Sequence, residues 1–412
     1  MNILFIHQNF PGQFGRLAAR LAATGHTVLA IGDESQASRR PPVPGVRRLA
    51  YSAPGGSGPQ THAYLRRLEA DVRRGQEVVR LALRLRASGF VPDLIYGNPG
   101  WGELMFIKDV FPDAPLVALY EFYFRPGEGD HGFDEEFPTT FDSNLRLRVR
   151  NATLALTLDR VDAIVAPTQW QASRLPGHCA SRLSVIHDGI DTDLCRPDPG
   201  AVFRHPSLPS TLTAADEVIT YVARNLEPYR GFHKFMRALP GILDRRPQAK
   251  VVVVGGDEVS YGAPPREGGC WRETLLAELG DRLDRSRVHF VGRLPYADFI
   301  TLMQVSAAHV YLTYPFVLSW SVLEAMACGA LVVGSATPPV TEVIEDRHTG
   351  LLTAFDDPAA IGNAVVAALE RRHALDAIRV AARARVVERY DFERVCGHAQ
   401  VALLERLVGA RC

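Results

Sequence analysis

Short β-branched runs alternate with longer helical patterns through most of the 412-residue chain, and that alternation restricts it to one broad architecture. Ile3–His7, Thr27–Ile31, Asp93–Tyr96, Leu116–Leu119, Asp162–Ala166 and Leu183–Ile186 read as strands of a first sheet. Phe14–Thr24, Thr61–Ser88, Glu103–Val110 and Thr139–Leu158 read as helices between them. Strands joined by helix-length connections pair in parallel and carry helices on both faces. Residues 196 to 214, RPDPGAVFRHPSLPSTLTA, hold four prolines and no periodicity, which places an interdomain linker there. A second series follows at Val218–Val222, Lys250–Gly255, Arg287–Val291, His309–Leu312 and Leu331–Val333. The expected fold is therefore α/β, with two doubly wound, Rossmann-like domains at 1–205 and 206–389. A C-terminal helix in 390–412 can return to the first domain. The default site is the cleft between domains, at strand C-terminal ends.

Composition narrows the function classes. Lys+Arg and Asp+Glu both total 46, so no net field attracts nucleic acid. Only Lys108, Lys234 and Lys250 are lysines, and arginine suits forked phosphate contacts. Cys179, Cys195, Cys270, Cys328, Cys396 and Cys412 are scattered, with no metal-ligand spacing, and read as reduced thiols of a cytoplasmic protein. The opening MNILFIHQNF runs straight into a strand pattern and does not read as a signal peptide.

Six segments carry candidate chemistry. His7 to Gly15 is a glycine-bearing turn between the first strand and first helix, where Gly12 would let backbone approach an anion. It is not a dinucleotide fingerprint, and an ordinary βα turn explains it equally. Arg224 and Arg230 lie six apart after the first strand of the second series and can converge on a diphosphate; the alternative is a surface pair of Arg224 with Glu227. Asp188 to Asp193 has acids but no EF-hand spacing, reads as an Asx-type turn, and is assigned no metal. The loop Tyr120–Pro138 mixes aromatics, acids and glycines. It offers Tyr120, Phe122, Tyr123 and Asp134 as acceptor contacts and Glu121 as a candidate catalytic group, or else forms a plain lid. The helix Thr61–Ser88 sets Arg66, Arg73, Arg80 and Arg84 beside an apolar stripe of Leu65, Leu68, Val72, Val79 and Leu83. That pattern suits weak peripheral contact with an anionic membrane at the inner face, but a core-facing stripe with Glu69–Arg73 and Glu77–Arg80 pairs explains it better. Finally, Glu324 stands alone in the apolar stretch Tyr311–Val333, where Ser321 and Glu324 have the spacing of a capping box.

Together these segments resemble family 4 of the retaining glycosyltransferases, which have the GT-B fold. Val288 to Arg293, Leu323-Glu324-Ala325-Met326-Ala327-Cys328-Gly329, Leu331 to Val333 and Thr349 to Leu352 follow the family's order. Arg224 to Phe232 is similar to its arginine–lysine diphosphate loop, with Arg230 in the lysine's place. The HQNFPGQF opening resembles one bacterial subgroup. The resemblance implies that Glu324 binds ribose hydroxyls and that Arg224 and Arg230 neutralise the leaving diphosphate. Backbone around Leu318, Ser319, Trp320 and Ser321, with Gly12 and Arg293, would complete the donor site. Phe316 stands where the family usually has a second glutamate on the donor sugar; it either lines that pocket or points into the core. The implied activity is retaining, metal-independent transfer from a UDP- or GDP-sugar to a sugar, lipid-linked or small-molecule acceptor, with no resident cofactor. A nucleotide-sugar epimerase and a non-catalytic nucleotide-sugar-binding protein remain open alternatives.

Overall fold

A computed structural model describes residues 1–37 and 41–409 of the protein; Cys412 lies outside the described residues. The chain divides into two compact units, Met1–Gly189 with Phe392–Cys412, and Ile190–Asp391. The first unit holds β1 (Asn2–Ile6), β2 (Thr27–Asp33), β3 (Val46–Tyr51), β4 (Leu94–Gly97), β5 (Leu116–Leu119), β6 (Ala163–Ala166) and β7 (Leu183–Val185). They form one parallel sheet in the order β3-β2-β1-β4-β5-β6-β7. Side chains alternate across the sheet, so each central strand feeds two cores. Leu4 and Ile6 of β1 pack with Val78, Leu85 and Leu154. Ile3 and Phe5 pack on the other face with Leu17, Leu21 and Leu404. Burial on both faces is why these strands read as unbroken apolar runs.

In the second unit a short antiparallel pair, β8 (Val202–Phe203) and β9 (Leu212–Thr213), precedes a six-stranded parallel sheet. Its strands are β10 (Val218–Asn225), β11 (Lys250–Gly256), β12 (Val288–Gly292), β13 (Ala308–Tyr311), β14 (Val332–Ser335) and β15 (Leu351–Thr353), in the order β12-β11-β10-β13-β14-β15. Strand order reverses between β1 and β4 in one sheet and between β10 and β13 in the other. Each reversal opens a crevice beyond the strand C-termini.

The structure corrects several sequence expectations. The stretch 196 to 214 is no free linker: Ala201, Phe203 and Leu212 are buried in the second unit's core, and the unit boundary falls at Gly189. The chain crosses it once more at Asp391, and the two ends of the second unit lie together. Ile190 pairs with Asp391 as an isolated bridge, its N–H reaches the Tyr390 carbonyl at 2.7 Å, and Thr192 hydrogen-bonds the Asp391 carboxylate. The long helix spans Arg66–Ala87, and its apolar stripe is not its buried face. Leu65 and Leu83 are exposed, whereas Asp71, Gly75, Val78, Leu81, Ala82 and Leu85 are buried. Asp71 is accepted there because Thr153 Oγ1, Arg67 Nε and Arg74 Nη1 donate to it at 2.7, 3.2 and 3.3 Å. The predicted Thr139–Leu158 helix breaks at Asn151, whose side-chain amide exchanges two hydrogen bonds with the Phe124 backbone at 2.7 and 3.1 Å. Among the described residues, no helix is long and apolar enough to cross a membrane.

Candidate active site

In the first unit, the turn after β1 is shaped by His7, whose Nδ1 accepts the Asn9 N–H at 2.9 Å. Gly12 sits at φ +47°, and a Cβ there would lie 2.8 Å from His7 Cε1, so only glycine fits. Across the reversal, Asn98 follows β4 and caps the turn Pro99–Trp101. Gln13 and Asn98 both donate side-chain amide hydrogens to the Glu121 carboxylate, Asn98 at 2.9 Å. Gln171 Nε2 holds the Glu121 carbonyl at 2.6 Å. Glu121 is therefore an oriented acceptor at a strand end, and Gln13, Asn98 and Gln171 are partners that motif reading passed over.

The other residues named in that loop fare differently. Tyr120 lies in the core with its hydroxyl engaged on the Leu154 carbonyl at 2.9 Å. Phe122 is buried edge-on to Phe124, while Tyr123 is half-buried against the same core. Asp134 is buried, and its carboxylate accepts the Glu136 N–H at 3.1 Å, as a turn-forming Asp does.

In the second unit, β10 carries a register shift between Val222 and Asn225, and Arg224 lies within it. Such a shift re-aims a side chain at a sheet rim. Arg224 is exposed and makes no hydrogen bond or ion pair among the described residues. Its alternative partner is occupied elsewhere. Glu227 is fully buried and accepts N–H groups from Ser260, Tyr261 and Gly262 at 2.9 to 3.2 Å, anchoring the loop after β11. Arg230 is 7% exposed, and its Nη1 donates to Tyr311 Oη, Thr313 Oγ1 and the Val317 carbonyl at 3.2, 2.9 and 2.9 Å. Its guanidinium also lies 5.3 Å from the Tyr261 ring centroid, a favourable cation–π distance. The two arginines differ: one is free to meet a ligand, the other also braces the end of β13.

Phe316 is buried among aromatics, edge-on to Tyr229 and Tyr261 at 5.6 and 5.1 Å, with Tyr314 4.7 Å from Tyr229. Tyr229 lay in the diphosphate-loop motif without an assigned role, while Tyr261 was invisible to motif reading because the loop that brings it here is a Gly/Pro-rich segment without periodicity. Arg293 reaches Asn225 Oδ1 at 2.9 Å and pairs with Glu258.

Glu324 is not a cap. The helix runs Trp320–Ala327 with Ser319 as N-cap, accepting the Ser321 N–H at 3.4 Å. Glu324 is its fifth residue, beyond reach of a capping box. It is 5% exposed, and its Oε1 accepts the Tyr296 hydroxyl at 2.6 Å. The Ser319 N–H donates to Tyr311 Oη at 2.8 Å, so Ser319 and Ser321, two of the amides expected to face a diphosphate, are engaged inside the unit. Asp191 behaves as an Asx turn, accepting the Leu194 N–H at 3.0 Å.

Comparison with known proteins decides the family. A model described as the glycosyl transferase family 4 group matches residues 24–195, and one described as glycosyl transferases group 1 matches residues 208–385. Together the two models span most of the chain and mark it as a family 4-type glycosyltransferase. Within this family it is similar to D-inositol 3-phosphate glycosyltransferase 2 of Catenulispora acidiphila, 28% identical over 55% of the chain. That alignment spans 56% of the relative's own length. Glycogen synthase of Mycobacterium tuberculosis is 24% identical over 98% of the chain and 94% of its own. Among solved structures, sucrose-phosphate synthase of Thermosynechococcus elongatus superposes with a TM-score of 0.74 at 19% identity, covering 100% of both chains. Anabaena HepE in complex with UDP and glucose gives 0.68 at 20% identity over 98% and 99%. The structural likenesses establish the GT-B fold, two Rossmann-like domains, as expected from the sequence.

Proposed function

We propose that the chain transfers a sugar from a nucleotide-diphosphate sugar to an acceptor nucleophile. The observation that carries this reading is that an exposed Arg224 near the end of β10 and a buried acceptor Glu324 in the helix after β13 belong to neighbouring strands at one sheet reversal. A cation and a fixed carboxylate at a switch point suit a diphosphate joined to a ribose diol. The relatives' names support glycosyl transfer, and HepE was solved with UDP and with UDP-glucose, which favours a uridine donor.

In this reading Arg224, with Arg230 behind it, stabilises charge growing on the leaving diphosphate, and Glu121 holds an acceptor hydroxyl. Transfer proceeds with retention, as the family resemblance implies, and needs no metal because the arginines supply the positive charge. The aromatic wall of Tyr229, Tyr261 and Phe316 offers the C–H face of the donor sugar an apolar contact. The test is turnover of UDP- and GDP-sugars over a broad acceptor panel in EDTA, with the product anomer assigned by NMR. A retained anomer in EDTA is the expected result. Sugar isomerisation with donor alone would indicate an epimerase, and tight binding without any turnover a binding protein.

A further inference from the structure

Tyr296 belongs to no motif, yet its hydroxyl donates to the carboxylate on which the nucleotide reading rests. It is the first residue of the helix Tyr296–Val305 and is 43% exposed, its ring stacked on Phe299 at 6.0 Å. Its Oη donates to Glu324 Oε1 at 2.6 Å and lies 3.6 Å from the buried Cys195 Sγ. A phenol has one hydrogen. With that hydrogen on the carboxylate, a lone pair of the phenol oxygen is left to face the Cys195 sulfur. Burial and the charge of Glu324 both hold the Tyr296 phenol well above its ordinary pKa, so it stays a donor through the working range.

The segments that carry these groups are tied together through backbone. Arg383 Nη1 donates to the Cys195 carbonyl at 2.8 Å and the Ala327 carbonyl at 2.6 Å. It thereby ties the segment bearing Cys195 to the end of the helix bearing Glu324. A carboxylate this buried needs hydrogen-bonded partners to select its rotamer. The Tyr296 hydroxyl is such a partner.

We propose that Tyr296 is a positioning residue of the nucleotide subsite, presenting Glu324 as an oriented acceptor for the ribose hydroxyls. The proposal rests on the reading of Glu324 as the ribose ligand. Removing the phenol hydroxyl takes away the hydrogen bond at Oε1 and leaves the carboxylate less firmly oriented, so recognition of the diol weakens while the diphosphate contacts persist.

The experiment compares wild type, Tyr296→Phe and Glu324→Ala by calorimetry. The probes are UDP, GDP, and the 2′-deoxy and 3′-deoxy forms of whichever binds wild type more tightly. Tyr296→Phe, which keeps the ring and its stacking on Phe299, is expected to weaken the ribonucleotide about tenfold. It should weaken at least one deoxy form no more than about threefold, so that discrimination narrows. In turnover the loss should appear in the donor KM, with kcat within about twofold. A merely structural role would weaken all nucleotides alike and would not narrow discrimination. If Glu324→Ala loses the ribonucleotide but Tyr296→Phe binds it normally, or loses ribo and deoxy forms equally, the role of Tyr296 is overturned and the ribose reading stands. If Glu324→Ala binds every nucleotide normally, or wild type binds none, both fall together.

Discussion

Arg224 and Arg230 look equivalent on paper, six residues apart in one loop, but their surroundings assign them separate liabilities. Arg224→Ala removes an exposed group without partners among the described residues, so turnover should fall by orders of magnitude with Tm unchanged. Arg230→Ala removes a buried guanidinium and strands the Tyr311, Thr313 and Val317 oxygens that it serves. It should lower turnover and also destabilise by about 1–3 kcal/mol per buried group left without a partner. Arg230→Lys should recover much of both, because an ammonium can still donate to three oxygens. Paired thermal melts and steady-state rates check this; equal Tm for the two alanine variants would contradict it. Residue identities at this site were legible where a motif fixed them. Their partners were not, since Glu227 reaches Ser260–Gly262 and Tyr296 reaches Glu324 only through tertiary packing.

At the level of elements, strands buried on both faces announced themselves as apolar runs. Two of the four edges did not: β3 carries Arg47 and Arg48, and β15 is three residues long. The hairpin of β8 and β9 was hidden among prolines. The long helix Arg66–Ala87 misled because its buried face includes Asp71 and Gly75, which no apolar count would choose. Gly75 decides between two effects of known sign. Alanine would favour the helix by about 1 kcal/mol. Its Cβ, however, would meet the Gly102 carbonyl at 2.8 Å and the Phe106 ring at 3.1 Å. Overpacking of that kind costs about 1–3 kcal/mol, and the backbone carbonyl cannot swing aside. Gly75→Ala should therefore lower the denaturant midpoint despite the better helix former; a raised midpoint would show that the helix shifts freely.

For the whole molecule, stability against pH follows from buried titrating groups. Burial raises the Glu103 carboxyl to about 7, although the Tyr51 hydroxyl donates to its Oε1 at 2.8 Å. A carboxyl whose folded pKa lies above its unfolded value favours the fold most below the unfolded pKa near 4.5, and that contribution is lost as pH rises to about 7. Burial lowers His187 to about 4 and His309 to about 3, so their contribution is present above 6.5 and is lost as pH falls. Glu103→Gln keeps the shape and cannot ionise. Its Tm should gain on wild type between pH 4.5 and 7, by a few kcal/mol of stability at most, and run parallel above pH 7. A constant difference across that range would mean that Glu103 ionises as readily in the fold as outside it.

The hydrogen-bonded closure of Ile190 onto Tyr390 and Asp391 makes the second unit an insertion, entered and left through a single doorway. Its ends need no help from the rest of the chain to meet, while the first unit is sewn from two distant pieces, with Leu403 and Leu404 completing a core begun by Ile3 and Phe5. Excision should then be asymmetric. Residues 190–391 expressed alone keep their whole sheet and both ends. A chain stopped at Asp391 leaves the first unit with an uncovered apolar face, and its loss of solubility would fall on residues almost four hundred positions away in sequence.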